Sequence, residues 1–157
     1  MGKINSALFV CTGNSCRSVM AEALLKKYLK SLGKDNITVR SAGMSAMSGY
    51  PPTDETLSVL KDEGIDASAF RSKDLTDDMI KNSDLILVMG EIHKERVINL
   101  VPEAASRTFL LKEYGIIEKK DSPEGTGVPD PIGKSLEDYR YSMDVIKKEI
   151  ERIAKLL

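Results

Sequence analysis

Four short, largely apolar runs, separated by stretches of helical periodicity, constrain the fold of this 157-residue chain more than any other feature of its sequence. The runs cover residues 7–10, 37–39, 85–89 and 108–111. Apolar runs of this length are typical of strands that are buried on both faces. Strands that alternate with helices form parallel sheets through right-handed crossovers, with helices on both faces. We therefore predict a single α/β domain over residues 1–157, with a four-stranded parallel sheet and helices on both of its faces.

The helical segments have recognisable ends. Gly33 and Gly64 are expected to end the first two helices, and Thr76 is expected to cap a third, short helix. Another helix is expected near residues 93–100. The last helix has an apolar stripe with spacings of three and four residues, formed by Tyr139, Met143, Ile146, Ile150, Ile153 and Leu157. Residues 114–134 contain glycine and proline and predict a long loop, which in a compact domain is more often functional than idle.

Composition and charge exclude several classes of function. The formal net charge of −1 gives no electrostatic basis for binding nucleic acid or an anionic membrane. The apolar run before Cys11 is too short for a signal peptide or a membrane span. Cys11 and Cys16 are the only cysteines, and they are so close in sequence that a structural disulfide would add little stability. We expect a reduced, cytoplasmic protein with no nucleic-acid or membrane partner.

Residues 11–18, Cys-Thr-Gly-Asn-Ser-Cys-Arg-Ser, follow the first predicted strand and precede the first helix, where parallel sheets bind their ligands. A loop in this position can turn its N–H groups inward around an anion, and the helix dipole assists. Gly13 and Asn14 suit positive-φ or close-approach positions. Arg17 offers a planar set of donors for two phosphoryl oxygens. The pattern predicts a site for phosphate or another oxyanion without metal or cofactor, surrounded by Thr12, Gly13, Asn14, Ser15, Cys16 and Ser18.

Cys11 is the candidate nucleophile of this site. A thiol at a helix N-terminus and near a guanidinium is readily available as thiolate, and the hydroxyl of Ser18 can donate a hydrogen bond to it. Thiolate attack on phosphorus would give a phosphocysteine, which water then hydrolyses. An inert Cys11 buried at a strand end is the alternative. His93 is the only histidine, which leaves no basis for a histidine triad or metal site, and we expect it to be an exposed helix residue.

The run Val10-Cys11-Thr12-Gly13-Asn14-Ser15-Cys16-Arg17-Ser18, followed by Met20-Ala21-Glu22-Ala23, resembles the low-molecular-weight protein tyrosine phosphatase family. The resemblance covers nearly the whole chain and includes Ser41-Ala42-Gly43, residues 85–89 and Asp130-Pro131. It implies a four-stranded parallel sheet with flanking helices, phosphoprotein substrates, and Asp130 as the general acid. Pro129 and Pro131 disfavour helical backbone around Asp130, which suits a carboxyl group held over the site on an extended loop.

Two features leave the substrate residue open. Tyrosine-specific members commonly have a bulky aliphatic residue in place of Ser15 and two tyrosines in place of Ile132-Gly133. The small hydroxyl residue, the Asp-Pro-x-Gly pattern and the segment Leu111-Lys112-Glu113-Tyr114 resemble the protein-arginine phosphatase branch. That branch usually has Thr and Phe in place of Ser15 and Ile132. Phosphotyrosine is the family default, and phosphoarginine is the alternative.

Three further possibilities remain at the level of sequence. Cys16 either forms a reversible disulfide with Cys11, as the resemblance implies, or packs under the loop. An arsenate reductase on the same fold would need cysteines beyond Cys16 to relay a disulfide, and the chain has none. A non-catalytic phosphoprotein-binding module is disfavoured by the joint presence of Cys11, Arg17, Ser18 and Asp130.

Overall fold

The computed structural model describes residues 2–116 and 127–157, which form an α/β fold around a parallel sheet. The strands are β1 (Ser6–Cys11), β2 (Thr38–Gly43), β3 (Leu85–Val88) and β4 (Thr108–Leu110). The helices are α1 (Arg17–Ser31), α2 (Asp54–Asp62), α3 (Asp77–Lys81), α4 (Glu91–Leu100) and α5 (Leu136–Leu156), with a 3-10 helix over Pro102–Arg107. The strand order is β2-β1-β3-β4, and all pairings are parallel. The predicted four-stranded parallel sheet is confirmed.

Both faces of the sheet are covered, because successive side chains of a strand point to opposite faces. Phe9 of β1 lies in one apolar cluster with residues of α1 and α5, such as Leu24 and Ile146. Its neighbour Val10 lies in a second cluster, with Ile80 of α3 and Val97 of α4. The two apolar layers bury the strands between them, and this packing positions the carboxyl ends of the strands.

The predicted element ends are largely correct, with one clear difference in β2. Thr76 accepts a hydrogen bond from the backbone of Met79 and caps α3 as expected. The second strand, predicted over residues 37–39, runs from Thr38 to Gly43. Its second half carries too few apolar residues to be recognised from sequence, but its backbone pairs with β1 up to the Cys11–Gly43 position. This pairing places the end of β2 beside the loop that follows β1.

The predicted long loop over residues 114–134 is described at both ends, and residues 117–126 lie outside the described residues. The backbone N–H of Val128 donates to the carbonyl of Met89, at 2.7 Å, just beyond β3. The Ser142 hydroxyl of α5 donates to the carbonyl of Pro129 at 2.9 Å. These two bonds hold the returning chain over the carboxyl ends of the strands. Neither described range contains a helix long and apolar enough to span a membrane.

Candidate active site

The N-terminus of α1 is arranged to receive an anion. Thr53, Thr76 and Ser135 cap α2, α3 and α5 with their side chains. In contrast, Cys16 at the N-cap of α1 makes no such bond, and the first turn of α1 contains no acidic residue. The first N–H groups of a helix have no partner within the helix. In α1 they remain available, with the positive end of the helix dipole, for a bound oxyanion.

Cys11 ends β1 with a buried thiol that faces this helix terminus. Its Sγ lies 2.9 Å from the Oγ of Ser18 and 3.3 Å from the backbone nitrogen of Asn14, which donates to it. The side-chain amide of Asn14 donates to Ser18 Oγ at 2.7 Å. Since Ser18 Oγ accepts that bond, its own proton is free to be donated to Sγ. The predicted contact between Ser18 and Cys11 is present in the structure, with the Ser18 proton available to the sulfur.

Asn14 fixes the curl of the loop. It has a φ of 51°, in the left-handed region that its sequence position predicted, whereas no positive φ is found at Gly13. The buried Asn14 side chain makes three hydrogen bonds: besides Ser18 it donates to Ser41 Oγ at 3.0 Å and accepts from the backbone of Lys73 at 2.9 Å. These contacts tie the loop to β2 and to the segment that flanks it.

The end of β2 approaches the loop so closely that only glycine fits. A Cβ atom on Gly43 would lie 2.5 Å from the carbonyl oxygen of Thr12 and 2.8 Å from the backbone nitrogen of Asn14. Ser41, on the same strand, donates from its hydroxyl to the carboxylate of Glu22 at 2.9 Å. The residue types of Ser41 and Gly43 alone predict no role for them. Their position at the carboxyl end of the neighbouring strand is the signal that could have identified them.

Arg17 and Asp130 meet over the loop. Arg17 Nη2 lies 3.3 Å from Asp130 Oδ2, and Arg17 Nη1 donates to the carbonyl of Val128 at 3.1 Å. Asp130 Oδ1 accepts from the backbone N–H of Ile132 at 3.1 Å, which orients the carboxylate. The structure therefore brings the three predicted catalytic residues to one cleft of about 120 Å³. Its lining consists of Cys11, Thr12, Gly13, Ser15, Cys16, Arg17, Asp130 and Ile132.

The prediction that His93 is exposed is wrong. Its side chain is buried, with 2% of the residue exposed, and its Nε2 lies 2.9 Å from Thr12 Oγ1. The cause is topological: α4 begins at Glu91, directly after β3, so its first turn faces the loop that follows β1. Burial, and secondarily the charge of Arg17, lowers the pKa of His93 to about 4. His93 is therefore neutral near pH 7.

Cys16 packs beneath the loop, and both cysteines are free thiols in the structure. Cys16 Sγ lies 3.5 Å from the hydroxyl oxygen of Tyr139 and 3.7 Å from that of Thr53. The expected packing of Tyr139 is confirmed, and burial, followed by its contact with Cys16, raises the pKa of Tyr139. Within the described residues, no cluster of three or more histidine, cysteine or carboxylate side chains is arranged to hold a metal ion.

Comparisons with known proteins agree on one family. A sequence model described as "Low molecular weight phosphotyrosine protein phosphatase" matches residues 6–157. The chain is 38% identical to a protein-arginine-phosphatase of Geobacillus stearothermophilus over 150 residues, which cover 96% of this chain and 94% of that one.

Two solved structures show the same fold. The low molecular weight protein tyrosine phosphatase of T. tengcongensis has a TM-score of 0.86 and 40% identity, with coverage of 97% of this chain and 99% of that one. Vibrio vulnificus Wzb, solved in complex with benzylphosphonate, has a TM-score of 0.85 and 31% identity, with coverage of 99% and 100%.

Proposed function

The chain belongs to the low molecular weight phosphotyrosine protein phosphatase family, and from that premise we propose that Cys11, Arg17 and Asp130 carry out its reaction. Members of this family are cysteine-dependent hydrolases, and hydrolysis through a phosphocysteine fits the family. The observation that carries the assignment is the setting of Cys11. Ser18 Oγ and the Asn14 N–H approach its sulfur at 2.9 and 3.3 Å, at the N-terminus of an uncapped helix.

In the first step, the Cys11 thiolate attacks phosphorus while the bond to the leaving group breaks. Charge spreads over the equatorial oxygens, which the N–H groups of the loop and the guanidinium of Arg17 stabilise. Asp130, in its protonated form, gives its proton to the departing atom. The products of this step are the free protein side chain and a phosphocysteine at Cys11.

In the second step, a water molecule attacks the phosphocysteine. The carboxylate of Asp130 accepts a proton from that water, and the P–S bond breaks to release phosphate and restore the thiolate. The position of Asp130 supports its proposed roles as general acid in the first step and general base in the second. Its carboxylate is oriented by the Ile132 N–H and lies at the edge of the cleft, opposite the loop residues that bind the phosphoryl group.

The substrates we propose are phosphorylated protein side chains, with phosphotyrosine as the family default and phosphoarginine as the alternative. Ser15 and Ile132 both line the cleft, where they would contact the side chain that carries the phosphoryl group. The identity of 38% with a protein-arginine-phosphatase supports retaining the alternative. Phosphate and other oxyanions are expected ligands, as the benzylphosphonate complex of the Vibrio vulnificus relative suggests. We propose a cytoplasmic protein of one domain without nucleic-acid or membrane partners.

The test of this function is hydrolysis of an aryl phosphate by the purified protein, with and without vanadate. We expect vanadate-sensitive turnover, and we expect Cys11→Ser to abolish it while phosphate binding persists. Turnover that survives Cys11→Ser would reject the assignment.

The substrate residue is tested by comparing rates on matched phosphotyrosine and phosphoarginine peptides. Ser15→Ile and Ser15→Thr are the paired variants. A bulky aliphatic residue should favour phosphotyrosine, and threonine should favour phosphoarginine. A ratio of rates that is unchanged in both variants would show that Ser15 does not select the substrate.

A further inference from the structure

We propose that His93 is a positioning residue that orients the hydroxyl group of Thr12, so that the Thr12 proton is donated into the anion-binding cleft. The proposal rests on the function proposed above for that cleft. It assigns a role to the only histidine of the chain, which lies on α4.

The contacts of Thr12 Oγ1 restrict where its proton can point. His93 Nε2 lies 2.9 Å from this oxygen, and Arg17 Nη2 lies 3.5 Å from it. A hydroxyl group has one proton to donate and two acceptor sites, whereas a guanidinium group only donates. Arg17 therefore occupies one acceptor site of Thr12 Oγ1. The direction of the Thr12 proton then depends on whether His93 donates or accepts.

The surroundings of the imidazole decide between its two tautomers. His93 Nδ1 is buried and has no hydrogen-bond partner among the described residues. Nδ1 faces Gly90, which has no side chain to bond to it. A Cβ atom placed on Gly90 would lie 3.5 Å from Nδ1. A proton on Nδ1 would be a buried donor without an acceptor, which is rarer in proteins than an unpaired acceptor. The proton therefore resides on Nε2, which donates to Thr12.

Burial of the His93 ring, together with the charge of Arg17, keeps the imidazole neutral. The neighbouring charged groups are Arg17, which disfavours a second proton on the imidazole, and Asp130, which favours it. Burial of the ring adds to the effect of Arg17 and outweighs that of Asp130, because a charged imidazolium would lose its hydration. The neutral ring with its proton on Nε2 fills the second acceptor site of Thr12 Oγ1.

With both acceptor sites filled, the Thr12 proton points away from Arg17 and His93. Thr12 lines the cleft beside Cys11 and Gly13. Its hydroxyl is therefore a donor directed at an oxygen of the bound phosphoryl group, in addition to the N–H groups of the loop. Because His93 fixes the orientation before the anion arrives, this donor requires no reorganisation during the reaction.

The tautomer can be measured directly, since His93 is the only histidine and its imidazole nitrogens can be assigned without ambiguity. Nitrogen-15 NMR of the labelled protein at pH 7 should show a protonated Nε2 and an unprotonated Nδ1. A protonated Nδ1, or a doubly protonated ring, would overturn the proposal even if the enzyme is fully active. If the wild-type protein instead shows no turnover that depends on Cys11, the result counts against the proposed function and not against the role of His93.

A mutant cycle tests the consequence for binding. Thr12→Val and His93→Leu should each raise the inhibition constant of inorganic phosphate about tenfold, as expected for the loss of one hydrogen bond to a charged group. Thr12→Ser and His93→Gln, which retain the hydroxyl and a side-chain N–H, should restore most of the affinity. The double variant Thr12→Val/His93→Leu should bind phosphate no more weakly than either single variant.

Independent losses in the double variant, or unchanged phosphate affinity in Thr12→Val, would overturn the proposal. A merely structural role for His93 predicts a lower free energy of unfolding with no rescue of phosphate affinity by His93→Gln. If His93→Leu does not fold, the comparison of Thr12→Val with Thr12→Ser and the NMR measurement still decide the matter.

Discussion

Arg17 Nη2 lies 3.3 Å from Asp130 Oδ2, in an ion pair between the residue proposed to bind the phosphoryl group and the proposed acid. The two partners differ in freedom, because the Arg17 side chain is 8% exposed and that of Asp130 is 40% exposed. In the proposed mechanism, a phosphoryl group in the cleft would compete with Asp130 for the same guanidinium donors. Binding of substrate should therefore release Asp130 toward the leaving group while Arg17 stays in place.

Asp130→Asn should separate the role proposed for this carboxylate as an acid from its ion pair with Arg17. The variant keeps the size of the side chain but has no proton to give, so we expect kcat to fall about 10²–10⁴-fold for poor leaving groups and much less for good ones. Inorganic phosphate should bind more tightly, since the neutral amide of the variant no longer competes for Arg17. The measurements are rates over a series of aryl phosphates and the phosphate inhibition constant. An equal loss for every leaving group would contradict the acid role.

Arg17→Lys should show that the shape of the guanidinium matters as well as its charge. Lysine cannot bind two phosphoryl oxygens in parallel or keep the bond to the Val128 carbonyl. We expect kcat to fall about a hundredfold, as is typical for loss of one transition-state donor, together with weaker phosphate binding. Arg40→Lys, at an exposed position on β2, is the matched control and should leave both quantities unchanged. Near-normal turnover in Arg17→Lys would refute the expectation.

Gly43→Ala, on β2, should distort the neighbouring loop over residues 11–18 and so impair anion binding. The added methyl group would overlap backbone atoms of Thr12 and Asn14, which cannot move without distorting the anion site. We expect a large loss of phosphate affinity and turnover, measured by inhibition and steady-state kinetics. Gly33→Ala is the control: its φ of 71° costs roughly 1–2 kcal/mol with alanine, in open space after α1. The stability of Gly33→Ala should fall while its activity persists. Normal activity in Gly43→Ala would contradict the prediction that only glycine fits at position 43.

The buried imidazole should make stability depend on pH. His93 has a pKa of about 4 in the folded protein against 6.5 for a free imidazole, so between these values the unfolded chain binds a proton that the folded protein does not. The contribution of the neutral ring to the free energy of unfolding is fully present above pH 6.5. It is lost as the pH falls toward 4, and the total loss is about 3 kcal/mol. Urea unfolding of the wild type and of His93→Gln from pH 7.5 to 4 measures this pH dependence. A difference in the free energy of unfolding between the two proteins that does not change with pH would refute the prediction.

The sequence was most informative where local pattern and tertiary environment coincide. The run at residues 85–89 is apolar because β3 is covered on both faces, and Asn14 tolerates the left-handed backbone that the loop needs. The later part of β2 escaped recognition because its strand character depends on pairing with β1 and not on apolar side chains. His93 was misjudged for a related reason, since its burial follows from where α4 starts relative to the neighbouring loop.

Asp130 marks the limit of reasoning from the residues alone. Nothing local distinguishes a proline-bracketed aspartate over an active site from one in a solvent-facing turn, and only the family resemblance indicated its role. The structure supplies the physical cause that the sequence lacks. A hydrogen bond from Val128 to Met89, which is distant in sequence, and one from Ser142 of the next helix to Pro129 hold Asp130 over the cleft.

The bonds of Asn14 also bear on how activity arises during folding. Its partners Ser41 and Lys73 are separated from it by 27 and 59 positions, so the curl of the loop cannot form until distant parts of the chain have assembled. An unfolded or half-assembled chain therefore lacks the anion site around Cys11. The activity proposed for Cys11 should appear only with tertiary assembly, which would make turnover itself a sensitive reporter of the fraction of molecules that are correctly folded.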